Sequence, residues 1–191
     1  DLEGEYGMAE LLADVSKTNI PRIRFVTSHP WDFTDEMINV IAKYDNIMPY
    51  IHLPIQSGSN EILKKMGRRY TREEYIKLFN KIKETIPNVA ISTDIIVGFP
   101  NETEKDFNET LDIVKLLKYD LAYTFVYSPR KGTPAALMED LISLETKKER
   151  LAKLNELVNK YALENNKKYL NKEVMVLLDD YSDKEGCLQG Y

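Results

Sequence analysis

Apolar residues recur in two rhythms along this chain, and the two rhythms alternate. Between residues 6 and 18, Met8, Leu11, Leu12 and Val15 fall at helical spacing, the one-sided stripe of an amphipathic helix. Arg22-Ile23-Arg24-Phe25-Val26 reads instead as a short strand running into Thr27-Ser28-His29-Pro30. Thr34 suits a helix N-cap, since a hydroxyl there accepts from an unpaired amide of the first turn. Met37, Ile38, Ile41 and Ala42 then return to helical spacing. A second strand is expected over residues 48–53, ending in Pro54-Ile55-Gln56-Ser57-Gly58-Ser59. A helix follows to about residue 66, and Thr71-Arg72-Glu73-Glu74 opens another with a capping box. The third strand, residues 89–97, is a β-branched run that stops abruptly at Gly98-Phe99-Pro100. Thr103 begins a helix carrying Phe107, Leu111, Val114 and Leu117. The fourth strand, residues 121–127, ends in Ser128-Pro129-Arg130-Lys131-Gly132-Thr133-Pro134.

Strands that alternate with helices imply right-handed crossovers and a parallel sheet, an α/β fold. About four βα units are too few to close a barrel, so an open arc is expected. After Pro134 the pattern changes. Residues 143–170 read as a long, Lys-rich helix with Leu151, Leu154, Leu157, Val158 and Tyr161 at apolar positions. Residues 173–178 read as a strand of a separate element, 179–186 as a polar turn, and 187–191 as a further strand. The expected division is a leading helix (1–20), a partial barrel (21–142), a connecting helix (143–171) and the opening of a small β module (172–191).

The formal net charge of −5 argues against a chain coated in basic patches, although an acidic chain can still carry a local basic groove. The single cysteine, Cys187, excludes an internal disulfide framework. No apolar run approaches the ~20 residues of a membrane span. The first residues, Asp1-Leu2-Glu3-Gly4-Glu5, are acidic and lack an initiator Met. The chain therefore reads as cytoplasmic and as part of something longer.

Ligands of open α/β sheets gather at the carboxyl ends of the strands, and polar residues concentrate there. Asp94 is the most telling. A carboxylate inside an apolar strand is costly unless it has a partner, so a ligand or a cation is expected beside it. Gln56 suits a ribose hydroxyl or an amino-acid headgroup; the plainer reading is a turn residue bonding its own loop. Ser59 is expected to cap the following helix. Arg68, within Lys64-Lys65-Met66-Gly67-Arg68-Arg69, either belongs to a solvated basic surface or folds back to clamp a carboxylate. Gly98 and Pro100 fit the shape of a βα turn. His29 has three readings: a metal ligand, an acid–base group, or a hydrogen-bonded residue before Pro30. His52 reads as a satisfied core residue. With His29 and His52 the only histidines and no cysteine cluster, no protein-built metal site is expected. Tyr123, Phe125 and Tyr127 alternate with the strand period, so some should be core. Tyr127 has the best prospect of stacking on an aromatic ligand, and Arg130 and Lys131 of meeting phosphate.

Taken in order, Thr27-Ser28-His29-Pro30, His52-Leu53-Pro54-Ile55-Gln56-Ser57-Gly58-Ser59, Met66-Gly67-Arg68-Arg69-Tyr70-Thr71, Asp94-Ile95-Ile96-Val97-Gly98-Phe99-Pro100-Asn101-Glu102-Thr103 and Tyr127-Ser128-Pro129-Arg130-Lys131-Gly132-Thr133-Pro134-Ala135 resemble the methylthiotransferases of the radical S-adenosylmethionine superfamily. Within these, the wording is most similar to the tRNA enzymes that make 2-methylthio-isopentenyladenosine beside the anticodon. Two other branches, acting on threonylcarbamoyl-adenosine in tRNA or on a ribosomal protein, remain as alternatives. The resemblance implies a partial TIM-like radical SAM barrel followed by the start of a TRAM-like RNA-binding module. It implies S-adenosylmethionine and tRNA as partners. By carry-over, Arg68 would hold the methionyl carboxylate and Gln56 and Asp94 would orient polar groups of the cofactor. Ile96, Gly98 and Tyr127 would flank the adenine, while Ser28, His29, Ser128 and Arg130 would face the substrate. The resemblance also implies two 4Fe-4S clusters in the intact parent, but the family's Cys-x-x-x-Cys-x-x-Cys loop is not in this sequence. The chain alone is therefore expected to ligate neither cluster and to be inactive. A reading from a different class is a non-catalytic binding module that dimerises through the open sheet edge.

Overall fold

The computed structural model describes residues 6–26, 29–181 and 186–190. Helix α1 (Met8–Ser16) leads to a 3-10 turn at Pro30–Asp32, and α2 (Asp35–Lys43) follows. Strand β1 (Tyr50–His52), helices α3 (Asn60–Lys65) and α4 (Arg72–Thr85), strand β2 (Ala90–Val97), helix α5 (Glu104–Leu117) and strand β3 (Leu121–Val126) form the alternating unit. A 3-10 turn (Pro134–Leu137), helix α6 (Leu144–Asn166), a further 3-10 turn (Lys167–Tyr169) and a hairpin of β4 (Leu178–Tyr181) and β5 (Leu188–Gly190) complete the chain.

The helix starts lie where their local chemistry puts them. Thr34 accepts from the Met37 amide, and Thr71–Glu74 and Thr103–Asp106 form reciprocal capping boxes. Ser59 accepts from the Ile62 amide and donates to Asp106 at 2.5 Å. One serine thereby caps α3 and ties it to the start of α5.

The sheet is parallel in the order β1-β2-β3, with Ile51 opposite Ile91, Asp94 opposite Tyr123 and Ile96 opposite Phe125. The expected first strand reduces to one parallel bridge, Ile23 to Ile47. The reason lies in its partner. Extending the ladder would need the Met48 carbonyl and the Tyr50 amide, and these bond to each other at 2.8 Å across Pro49. Strand β1 stops at His52 and rejoins the sheet at Gln56, bridged to Ile95. Pro54, between them, has no amide to give.

One face of the sheet is dry. Ile51, Ile91, Ile95 and Val97 are buried with Phe79, Ile82, Phe107, Ile113, Val114, Leu154 and Val158 in a single core. The other face carries Tyr50, His52, Asp94, Ile96, Tyr123 and Phe125, and it is open. Tyr123 and Phe125, expected to be partly core, are about half exposed here. Helix α6 packs on β3 and α5, with Lys147, Arg150, Leu154 and Val158 as its buried residues.

The expected strand at residues 173–178 is not formed. Pairing begins only at Leu178, opposite Gly190. Val174, Met175 and Val176 are exposed and pair with no strand among the described residues. The polar turn after β4 lies partly outside the described residues, as do Ser28 and the first five residues.

Candidate functional site

A cleft of about 860 Å³ opens at the carboxyl ends of the three strands. Of the ten ligand-facing positions expected from the sequence, seven line it: Gln56, Arg68, Asp94, Ile96, Tyr127, Ser128 and Arg130. They come from separate loops and are brought together by the parallel register.

Gln56 holds its place through the backbone. Its amide donates to the Asp94 carbonyl at 2.8 Å, and its carbonyl accepts from Ile96 N–H at 2.9 Å. Its φ of 71° is left-handed, so the chain turns away from the sheet immediately after making those bonds. The buried Tyr70 hydroxyl pins the same segment by donating to the Pro54 and Ile55 carbonyls. Burial pushes that phenol up to about 12, leaving it a donor throughout the ordinary pH range.

Arg68 reaches into the cleft with its Nη1 2.8 Å from His29 Nε2. A guanidinium only donates, so His29 accepts and its proton sits on Nδ1. Burial first, and then the adjacent Arg68 charge, hold the imidazole below its usual range. His29 also stacks on Trp31, with ring centroids 3.6 Å apart. It thus contacts Arg68 directly and braces it. Arg68 Nε and Tyr127 Oη are buried atoms with no hydrogen-bond partner in the protein. Buried polar groups of this kind call for a ligand or water.

Gly98 falls between the lining residues Ile96 and Phe99 and is not itself part of the lining. Its φ is +70°, and a Cβ there would lie 2.5 Å from Lys147 Cγ. Glycine lets α6 approach the turn. Glu102 completes the fastening: it accepts from Gly98 N–H at 3.1 Å and from Arg150 Nη1 at 2.7 Å, and Arg150 also bonds the Glu102 carbonyl. Burial raises the Glu102 carboxyl, while the Gly98 amide and Arg150 pull against it.

Asp94 is half-buried and faces His52, whose Nε2 lies 3.4 Å from Oδ2. His52 is therefore no core residue; it stands on the open face. It helps to line a second hollow of about 520 Å³ together with Arg24, Tyr50, Asp94 and Tyr123. Strand alternation was the available signal, since His52 and Asp94 both fall on the unburied parity of their strands. Lys64 and Lys65, not singled out from the sequence, are exposed and also line the cleft. Among the described residues, no group of three or more His, Cys, Asp or Glu side chains is placed to hold a metal. No helix among them is long and apolar enough to cross a membrane.

The model of the Radical SAM superfamily matches residues 3–114. A protein of Staphylococcus epidermidis named tRNA-2-methylthio-N(6)-dimethylallyladenosine synthase is 56% identical over 100% of this chain and 38% of its own length. A protein of the same name from Bacillus cytotoxicus is 54% identical over 98% of this chain and 37% of its own. The chain thus spans well under half the length of these relatives. Coproporphyrinogen III oxidase of Escherichia coli, described as a radical SAM enzyme, superposes with a TM-score of 0.58 at 20% identity, covering 70% of this chain and 31% of that one. That likeness is one of fold. With the family model spanning more than half of its residues and the strand-end cleft where such a sheet would place it, the chain belongs to the radical SAM superfamily.

Proposed function

We propose that this chain is the cofactor-holding part of a tRNA methylthiotransferase, and that its cleft binds S-adenosylmethionine. The observation that carries the reading is the meeting of Gln56, Arg68, Asp94, Ile96 and Tyr127 in one cleft, in a chain whose whole length aligns with proteins of that name. The residues fit the group. Arg68 retains an unpartnered buried Nε for a carboxylate. Asp94 offers a carboxylate to an ammonium or a ribose hydroxyl. Ile96 and the edge-to-face Phe99–Tyr127 pair, 5.0 Å between centroids, give an apolar wall for a purine to pack against. When bound against a reduced iron–sulfur cluster, S-adenosylmethionine supplies a carbon-centred radical that removes a hydrogen atom from substrate.

The described residues do not fit such a cluster: no three-ligand group exists among them, and Cys187 is exposed beside the terminal hairpin. The cluster ligands, two 4Fe-4S sites in the intact enzyme, are assigned to the parent outside this chain. The intact enzyme would add a methylthio group to carbon 2 of N6-isopentenyladenosine in tRNA, in the cytoplasm. Four cations, Lys64, Lys65, Arg68 and Arg130, line the cleft against the single carboxylate of Asp94. S-adenosylmethionine carries net positive charge, so this excess supports an additional polyanionic partner. Residues 172–191 would open a TRAM-like RNA-binding module, joined through the helix of residues 143–171 to the partial barrel.

Calorimetric titration with S-adenosylmethionine tests the cofactor assignment. Arg68→Ala and Asp94→Asn should each weaken binding by roughly ten- to a hundredfold, the loss of a charge-assisted contact worth about 1.5–3 kcal/mol. Unchanged affinity in both would remove them from the site. Nucleoside analysis of tRNA treated with the reconstituted parent tests the substrate. A second reading, self-association, is favoured by the half-exposed rings of Tyr123 and Phe125 beside the outer edge of β3.

A further inference from the structure

The open face carries a hydrogen-bonded chain that the cofactor assignment does not use. Tyr50 Oη donates to Ser92 Oγ at 2.8 Å, and Ser92 Oγ lies 2.9 Å from His52 Nδ1. Ser92 is fully buried and has one proton. A hydroxyl oxygen can accept twice, but among the described residues Ser92 Oγ has only Tyr50 Oη, which donates to it, and His52 Nδ1 as partners. Its buried proton therefore goes to Nδ1, which is the acceptor nitrogen. The remaining ring proton sits on Nε2, the atom that faces Asp94 Oδ2 at 3.4 Å. All four side chains sit on the two paired strands β1 and β2, where the parallel register sets His52 opposite Ser92. Asp94 is where the two hollows meet: it lines the cleft on one side and the smaller pocket beside His52 on the other.

We propose that His52 is a positioning residue for the cleft: the Tyr50–Ser92–His52 chain turns an Nε2–H onto Asp94 Oδ2 and fixes the carboxylate with its other oxygen free for a ligand. The ligand served is one that donates, an ammonium or a sugar hydroxyl. A carboxylate at the open end of a strand would otherwise rotate and hydrate. Held from behind, it meets the ligand without that reorganisation. The identity of the ligand as S-adenosylmethionine rests on the reading above; the chain itself does not.

Two measurements on the full chain separate the possibilities. The sequence holds only two histidines, so nitrogen-15 imidazole spectra contain two ring systems, and His29→Gln assigns them. His52 should show the Nε2–H tautomer at neutral pH, and Ser92→Ala should convert it to a mixture. An Nδ1–H tautomer in the unmodified protein, or no response to Ser92→Ala, would overturn the proposal.

The second arm is calorimetry with S-adenosylmethionine. His52→Leu, which keeps bulk and loses the donor, should weaken binding about tenfold, a shift of roughly 1.4 kcal/mol. His52→Gln, whose side-chain amide keeps an N–H toward Asp94, should restore most of it, with both variants melting at the temperature of the parent chain. Equal losses in the two variants, or none in either, would assign His52 a packing role. Should the unmodified chain fail to bind S-adenosylmethionine, the cofactor reading falls, and the tautomer measurement still decides the chain.

Discussion

Arg68 illustrates how one side chain acquires a role from residues far from it in sequence. Isolated on a Lys- and Arg-rich stretch, it would be solvated and mobile. The His29 acceptor at 2.8 Å and the Trp31 ring stacked behind His29 hold it over the cleft. This arrangement requires a neutral imidazole, since a protonated His29 would set a cation against the guanidinium. Burial and Arg68 both depress the His29 pKa in the folded state. A depressed folded value means the unfolded chain takes up the proton first on acidification. The contribution of His29 to stability is therefore complete above about pH 6.5, and it is lost as the pH falls through the lower folded value. Denaturant titrations between pH 7 and pH 5 should show this decline, and His29→Gln should flatten it. An identical slope in the variant would assign the decline to other groups.

At the scale of elements, the turn between β2 and α5 is decided by what α6 presses against it. Gly98 adopts φ +70°, and any Cβ would collide with the stem of Lys147. Two costs then add for Gly98→Ala: backbone strain of about 1 kcal/mol and overpacking of about 1–3 kcal/mol. Lys147→Ala should relieve only the second. A double-mutant cycle by urea unfolding should therefore give a coupling of about 1–2 kcal/mol between the two positions; strict additivity would show that the contact is not made. The buried Glu102–Arg150 pair, 2.7 Å apart, draws the same turn and helix together. Such pairs add little net stability but are expensive to break singly, which suits a pin that fixes geometry. The mutual satisfaction of Met48 and Tyr50 across Pro49 is the counterpart on the other flank, where it ends pairing after one bridge.

For the whole molecule, the consequence of a three-stranded parallel sheet is one covered face and one open face. Parallel sheets are ordinarily covered on both. Here Tyr123 and Phe125 stand half exposed, and among the described residues no strand pairs with the outer edge of β3. Light scattering should therefore detect concentration-dependent association of the isolated chain. A charge placed on the face, Phe125→Lys, should abolish it. A monomer at every concentration would count against association through this face.

Much of this organisation is written locally. The capping box at Thr71, the helix start at Thr103, the caps at Thr34 and Ser59, the strand stop at Gly98-Phe99-Pro100 and the helical spacing of Leu151, Leu154 and Val158 each lie within a turn or two of the residues they govern. Periodicity and hydrogen-bonding type were enough to read them, and the same patterning placed Asp94 in a strand and ordered the motifs that resemble the family. What only the tertiary structure decided involves partners about 40 or more residues apart: His52 against Asp94, His29 against Arg68, Arg150 against Glu102. It also decided that residues 22–26 touch the sheet at a single bridge and that pairing near the end begins at Leu178 instead of Glu173. Local chemistry fixes which backbone groups and faces are available, whereas strand register and helix approach fix which of them meet. Those choices depend on closing long loops against a shared core, a cooperative condition that no short stretch of sequence contains.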